Sequence, residues 1–247
     1  MISIFQKKIY LVDYLNGLVD IHNHILPGID DGAKTVDDSL AMIKGFSEFG
    51  VTNFICTPHI MHNYYDNTPS TIKKAHEQLF NELQKNDELQ VNLEYAAEHM
   101  IDDNFENILE NKKVMPLSKD YLLIEMSYLQ PSFNFDVAVD LIVKNQYFPI
   151  LAHPERYMYF HSKLAKYSSL KSKGILFQLN LLSLTSKSYG AEVQKITEKL
   201  LSEGLIDFVG TDVHNTRQLS LLKEIKISKK TLDKLYPVIE RTIQSFY

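Results

Sequence analysis

Residues 20–32, Asp-Ile-His-Asn-His-Ile-Leu-Pro-Gly-Ile-Asp-Asp-Gly, decide how the rest of the chain is read. The run that enters this stretch, Leu18, Val19 and Ile21, is apolar and β-prone, and it carries His22 and His24 at alternate positions. Side chains two apart on a strand share a face, so the two imidazoles emerge side by side. Pro27-Gly28 breaks the strand, and Ile29-Asp30-Asp31-Gly32 forms a turn that bends a carboxylate, Asp31, back toward them. Two imidazoles and a carboxylate are the start of a metal site. His-x-His alone is a weak signal, and its weight comes from what recurs at later strand ends.

Working outward, short apolar runs alternate with helical patterns. Strands are predicted at 18–21, 53–57, 91–96, 121–124, 148–152, 175–180 and 206–209. Thr35 with Asp38 opens a helix that Gly50 ends, and Thr68-Pro69 opens another that runs to about Gln84. Further helices are predicted near 103–111, from Asn134 as cap to Lys144, over 162–173 and over 191–202. Two more close the chain, with Pro237 kinking or interrupting the second. Residues 1–17 form an N-terminal arm, in which Phe5, Ile9, Tyr10, Leu11 and Leu15 speak against disorder.

Strands alternating with helices imply parallel strands, in a closed barrel or a doubly wound open sheet. The reactive side chains favour the barrel. His22/His24, His59, Glu98, Glu125, His153 and Asp212/His214 all fall at strand ends, which converge on one face of a barrel. An open sheet would spread them along its edge, because neighbouring strands lie about 4.8 Å apart.

Composition narrows the function classes. The 247 residues are 45% hydrophobic and 23% charged, as in ordinary globular chains, and the length fits one large domain. A net charge of −5 argues against a sequence-independent grip on nucleic acid. No apolar run is long enough for a membrane span and no signal peptide is recognisable, so a cytoplasmic location is expected. The single cysteine, Cys56, cannot form an internal disulfide and suits a reducing cytosol.

The candidate ligands are His22, His24, Asp31, His59, Glu98, Glu125, His153, Asp212 and His214. Any one of them could be a hydrogen-bonded loop residue, a cap or a surface charge. Together, crowded on one barrel mouth, unpaired carboxylates would repel and desolvate one another, and a cation is the natural compensation. The set exceeds what one ion can use, which implies two or three. Nitrogen and oxygen donors without thiolate favour Mn, Fe or Zn over Ca or Mg.

The chain resembles the PHP (polymerase-and-histidinol-phosphatase) superfamily of metal hydrolases. Within it, the CpsB/YwqE branch of bacterial manganese-dependent tyrosine phosphatases, linked to capsule and exopolysaccharide synthesis, is most similar. The resemblance runs from about Asp20 to Arg217. It is carried by the opening stretch, Thr57-Pro58-His59, Ala97-Glu98, Leu123-Ile124-Glu125, Ala152-His153-Pro154-Glu155-Arg156 and Thr211-Asp212-Val213-His214-Asn215. It implies a distorted seven-stranded (β/α) barrel of the PHP, TIM-like type, as a single domain over residues 1–247. It also implies a trinuclear Mn²⁺ centre with Glu98 bridging ions. Arginines at the places of Arg156 and Arg217 bind phosphate in the family, and the planar guanidinium can hold two phosphoryl oxygens at once. The implied partner is the tyrosine-rich tail of a membrane-associated bacterial tyrosine kinase. The lysine-rich C-terminal segment departs from the branch's ending.

Phosphate-monoester hydrolysis is among the slowest uncatalysed reactions, and clustered dications offset the charge that develops in it. A phenoxide leaving group of pKa about 10 needs little general-acid help, and no general acid is assigned. His62 and His161 read as surface or supporting groups, His76 as a helix-surface residue, and His99 as pointing to the opposite face of its strand from Glu98. Tyr64-Tyr65 reads as loop packing, with a substrate-facing aromatic rim or a phosphosite as the alternatives.

Other chemistries fit poorly. Cysteine-dependent phosphatases need Cys-x5-Arg, yet His62 stands six after Cys56. Gly45-x4-Gly50 is followed by Val51 where a P-loop has lysine. Carboxylates from strands three and four, with two arginines, argue against an amidohydrolase-type deacetylase. The alternative within the superfamily is a phosphoesterase for a small metabolite such as histidinol phosphate or a sugar phosphate. A deep enclosed pocket would favour that alternative and an open groove would favour a protein tail.

Overall fold

The structure, a computed structural model, describes residues 9–86 and 89–247, so Phe5 and the rest of positions 1–8 of the arm lie outside the described residues. From the N-terminus come β1 (Ile9–Tyr10), β2 (Val19–Asp20), α1 (Val36–Ser47), β3 (Asn53–Cys56) and β4 (His59–Ile60). The chain continues through α2 (Pro69–Leu83), β5 (Asn92–Tyr95), β6 (Glu98–Met100), α3 (Phe105–Glu110) and β7 (Tyr121–Glu125). Next are α4 (Phe135–Lys144), β8 (Phe148–Ala152), α5 (Met158–His161), α6 (Ala165–Ser172) and β9 (Leu176–Asn180). Last come α7 (Ser186–Tyr189), α8 (Ala191–Ser202), β10 (Phe208–Gly210), α9 (Thr216–Glu224), β11 (Lys226–Ile227) and α10 (Lys229–Phe246).

All strands but two are parallel. The order β10-β9-β8-β7-β6-β4 makes one sheet and β2-β3-β5 a smaller one, while β1 pairs antiparallel with β11. The strands predicted at 53–57 and 91–96 therefore stop early and resume one sheet over. At the first break Pro58 has no N–H to give to a ladder. The larger sheet curls back to the segment that follows β2: Asp212 N–H donates to the His22 carbonyl at 2.7 Å, and His24 N–H to that of Val213 at 3.1 Å. The ladders thus divide between two curled sheets rather than running as seven unbroken barrel strands.

Alternation along the strands sorts side chains into two cores. Val19, Ile21, Ile55, Leu123, Ile150 and Phe208, from strands of both sheets, form an inner cluster that includes Phe246 of α10. Their neighbours, such as Leu122, Ile124, Leu151 and Val209, belong to the larger cluster shared with the helices. A strand with both faces buried this way reads as a nearly continuous apolar run, as these do.

The helix starts follow the sequence in two cases and depart from it in others. Thr35 and Asp38 form the reciprocal capping box at α1, and Thr68 caps α2 with Pro69 at its first position. Asn134 does not cap α4; its amide reaches the Asp102 carbonyl and Glu106 instead. The helix expected over 162–173 begins at Ala165, after the separate turn α5. Helix α10 runs through Pro237 without a break, held by the buried stripe Leu235, Val238, Ile239, Thr242 and Phe246.

Candidate metal centre

Counting in twos from the inward-facing residues explains which reactive groups meet. Ile55 leads to Thr57 and His59, Ala96 to Glu98, Leu123 to Glu125, Leu176 to Gln178 and Asn180, and Phe208 to Gly210 and Asp212. The register agrees, since His59 pairs with Glu98 across β4 and β6. His153 breaks this count. It sits just past β8 with φ of 36°, and Asp212 has φ of 51°. Left-handed backbone at non-glycine residues costs energy and concentrates at functional sites. Gly32 is required for a different reason: a Cβ there would lie 2.1 Å from the His24 carbonyl oxygen.

The ligand-type groups do converge. His22 Nε2 is 3.1 Å from Glu98 Oε2 and 3.3 Å from Asp212 Oδ1, and His24 Nε2 is 3.2 Å from the same Asp212 oxygen. His59 Nδ1 lies 3.1 Å from Glu98 Oε2 and 3.0 Å from Glu125 Oε1. Asp31 Oδ1 stands 3.5 Å from His59 Nε2 and 3.5 Å from His214 Nε2. These make three overlapping groups: His22, His24, Glu98 and Asp212; His59, Glu98 and Glu125; and His24, Asp31, His59 and His214. His153 lies outside them but beside Glu98, with its Nε2 3.0 Å from Oε1.

Whether cations fit here is tested by the atoms themselves. His22 Nε2, His24 Nε2, His59 Nδ1, Glu98 Oε2 and Glu125 Oε1 are buried and make no hydrogen bond despite lying so close together. Buried polar atoms without partners are costly and rare. Lone pairs aimed at shared points, from imidazole and carboxylate only, are what a cluster of divalent cations requires. The residues fit.

Supporting groups set the direction of His22, His24 and Asp212. Gln178 Oε1 accepts from His22 Nδ1 at 2.7 Å, and Asp30 Oδ2 does the same for His24 Nδ1 at 2.8 Å. Both leave Nε2 as the nitrogen that faces the centre. Asp20 accepts from the Thr211 hydroxyl at 2.6 Å and from the Thr211 backbone N–H at 2.9 Å, tying β2 to the end of β10. Asn180 Nδ2 donates to Asp212 Oδ2 at 2.7 Å, and Arg156 Nη1 donates to that oxygen at 2.7 Å. The Arg156 guanidinium is sandwiched between the Tyr128 ring at 4.4 Å and the Tyr189 ring at 4.1 Å. Tyr128 also reaches His153 Nε2 with its hydroxyl, 3.2 Å away.

Charges respond as such crowding demands. Burial opposes charge on His22, but Glu98 and Asp212 outweigh it and raise the pKa. His24 rises to about 10, Asp30 overcoming the cost of burial. Glu98 and Asp212 are held well below the usual carboxylate range, since the facing imidazoles more than offset desolvation. His153 is lowered, mainly by burial.

Of the expected phosphate-binding arginines, Arg156 lines the cleft that opens onto the centre. Arg217 is exposed in the first turn of α9 and is not among the cleft's lining residues. Asp30, Gln178, Asn180, Tyr128 and Tyr189 were not expected from sequence. Gln178 and Asn180 carried a readable sign, since two polar residues alternate on the inward face of the otherwise apolar run Leu-Phe-Gln-Leu-Asn. His99 points away as expected, with Nδ1 donating to the Leu123 carbonyl and Nε2 accepting from Met115 N–H.

The parallel α/β architecture and the imidazole–carboxylate cluster define an α/β protein built around a metal-binding centre. Residues 18–237 match the CpsB/CapC family of capsular polysaccharide synthesis, and the chain belongs to that family. It is 31% identical over 219 residues to CapC of Staphylococcus aureus, covering 86% of this chain and 84% of that one. To the tyrosine-protein phosphatase YwqE of Bacillus subtilis it is 31% identical over 202 residues, covering 81% and 78%. A crystal structure from work on YwqE of B. subtilis and CpsB of Streptococcus pneumoniae, described there as unique metal-dependent tyrosine phosphatases, superposes with a TM-score of 0.75. The identity is 28%, over 93% of this chain and 91% of the other.

Proposed function

We propose that this chain is a metal-dependent phosphoric monoester hydrolase that removes phosphate from phosphotyrosine in a protein and so regulates capsular or extracellular polysaccharide synthesis. One observation carries the reading: unpartnered ligand atoms of buried imidazoles and carboxylates converge at the floor of a cleft that also holds Arg156, in a chain of this family. His22, His24, Asp31, His59, Glu98, Glu125, His153, Asp212 and His214 are the proposed ligands. The proposed cofactor is Mn²⁺, as two or three ions, with Fe or Zn as alternatives; donors without thiolate support this choice.

When bound, divalent cations supply Lewis-acid polarisation of the phosphoryl oxygens. The protein's own part is positioning. Arg156, fixed between two tyrosine rings and anchored on Asp212, presents its remaining N–H groups to the phosphate. Arg217 is proposed as the second phosphate contact. Gln178 and Asp30 hold His22 and His24 in the tautomer that exposes Nε2.

The cleft measures about 900 Å³ and is bordered by the exposed side chains of Tyr64, Leu129 and Phe133. A broad cleft with such a border supports a polypeptide substrate over a small metabolite. The proposed partner is the phosphotyrosine-bearing tail of a bacterial tyrosine kinase. No helix among the described residues is long and apolar enough to cross a membrane, in keeping with a proposed cytoplasmic site of action. The same reading takes residues 1–247 as one domain and the two curled sheets as one distorted seven-stranded barrel, supported by the contact between the segments that follow β2 and β10. The test is a panel of phosphotyrosyl and phosphoseryl peptides, histidinol phosphate and sugar phosphates with Mn²⁺. Hydrolysis of the phosphotyrosyl peptide is expected, and turnover of a small metabolite alone would overturn the choice of substrate.

A further inference from the structure

The segment 127–134, Ser-Tyr-Leu-Gln-Pro-Ser-Phe-Asn, joins β7 to α4 along one side of the cleft. Tyr128 turns inward over Arg156, but Leu129 and Phe133 are 92% and 95% exposed. Tyr64, from the loop after β4, is 79% exposed and lines the same cleft. Single exposed apolar residues are ordinary; three large ones bordering a cleft that ends in a buried charged centre are not. Leu129 and Phe133 bury almost nothing within the fold, which leaves both free to be covered by what enters the cleft.

Continuity with the centre limits what that occupant is. Its phosphoryl group must reach the floor near Arg156 while the chain on either side lies on the border. Charge limits it further. Among the described residues Arg156 is the one Lys or Arg that lines the cleft, whereas Asp102, Asp103 and Glu106, none of them a proposed ligand, all line it. His62 is already engaged, with Nδ1 2.9 Å from Asp103. Acidic residues flanking the phosphate would be repelled and apolar ones would be covered.

We infer that Leu129, Phe133 and Tyr64 form a docking lip for the polypeptide around the phosphotyrosine, and that it selects apolar neighbours over acidic ones. This rests on the phosphatase reading of the centre. The lip contributes binding to long substrates and nothing to the reaction at phosphorus.

The experiment compares the full chain, loaded with Mn²⁺, with the variant Leu129→Ser/Phe133→Ser. Three substrates are used: p-nitrophenyl phosphate, a phosphotyrosyl peptide with Leu and Phe beside the phosphotyrosine, and the same peptide with Glu in their place. Binding of the phosphonate analogue of the apolar peptide is followed by fluorescence anisotropy. The expected result is a loss of about tenfold or more in kcat/KM and in affinity for the apolar peptide, carried by KM, with p-nitrophenyl phosphate unchanged. Wild type should prefer the apolar peptide to the acidic one, and the variant should lose that preference. Equal handling of all substrates by both proteins would overturn the lip while leaving the phosphatase reading intact. A wild type that neither hydrolyses any phosphate ester nor binds the analogue would overturn the phosphatase reading and the lip with it.

Discussion

Gln178 Oε1 accepts a hydrogen bond from His22 Nδ1 at 2.7 Å, while the other Gln178 side-chain atom, Nε2, donates to the Leu179 carbonyl at 2.7 Å. The second bond fixes which end of the amide faces the imidazole, so His22 Nδ1 carries a proton and Nε2 is the nitrogen left to face a cation. Partners of this kind tune metal affinity through the ligands they hold. Gln178→Ala is expected to weaken cation binding about 10- to 100-fold with the fold retained. Isothermal titration with Mn²⁺ measures this, and unchanged affinity would mean that His22 needs no such support.

Glu98 belongs to two of the three ligand groups and lies beside His153 as well. Its loss should therefore empty more than one position. Glu98→Ala is expected to remove most bound metal and all measurable turnover, whereas His214→Ala, which affects one group, should retain part of the metal. Metal analysis of the purified proteins separates the two cases; full metal and activity in Glu98→Ala would refute its bridging place.

Arg156 and Arg217 are not equivalent in this structure. Arg156 is anchored on Asp212 and held between two rings, whereas Arg217 is exposed and, among the described residues, has no ion pair. Arg156→Ala is expected to raise KM for a phosphotyrosyl peptide by about 10- to 100-fold, the cost of losing a charge-assisted contact. Asp212 keeps Asn180 as a partner, so metal content should hold. Arg217→Ala should raise KM by less. Equal effects would show that Arg217 moves into the site when substrate binds.

His99 is fully buried and its pKa is lowered to about 4, because burial outweighs the help of the Leu123 carbonyl and of Glu98. Its neutral form is what the fold accepts. The unfolded chain takes up a proton near pH 6.5, so this residue's contribution to stability is lost as pH falls from about 6.5 toward 4. His99→Ala leaves Met115 N–H and the Leu123 carbonyl unpaired and should destabilise the fold by about 2–4 kcal/mol. Denaturant melts at several pH values measure both effects, and a variant as stable as wild type would contradict them.

Much of this centre was legible in sequence because its proposed ligands sit where a chemically distinctive residue interrupts an apolar run. His59, Glu98, Glu125 and Asp212 follow the inward parity of their strands, and residue type plus spacing is enough to place them. The supporting shell was not legible. Gln178 and Asn180 are polar residues that could equally cap a strand, and Asp30 differs from its neighbour Asp31 only in which way a turn directs it. The breaks at Thr57-Pro58 and Ala96-Ala97 also escaped, since a strand that changes partner keeps its apolar pattern. Arg217 shows the opposite limit: resemblance supplied a role that its exposed position does not by itself explain.

The most direct test of the central claim is hydrolysis of a phosphotyrosyl peptide by the purified chain after complete removal of metal, and again after Mn²⁺ is returned. No turnover without metal and full recovery with it, lost in His22→Ala, are predicted. A rigorously metal-free protein that dephosphorylates the peptide at the full rate would contradict the account.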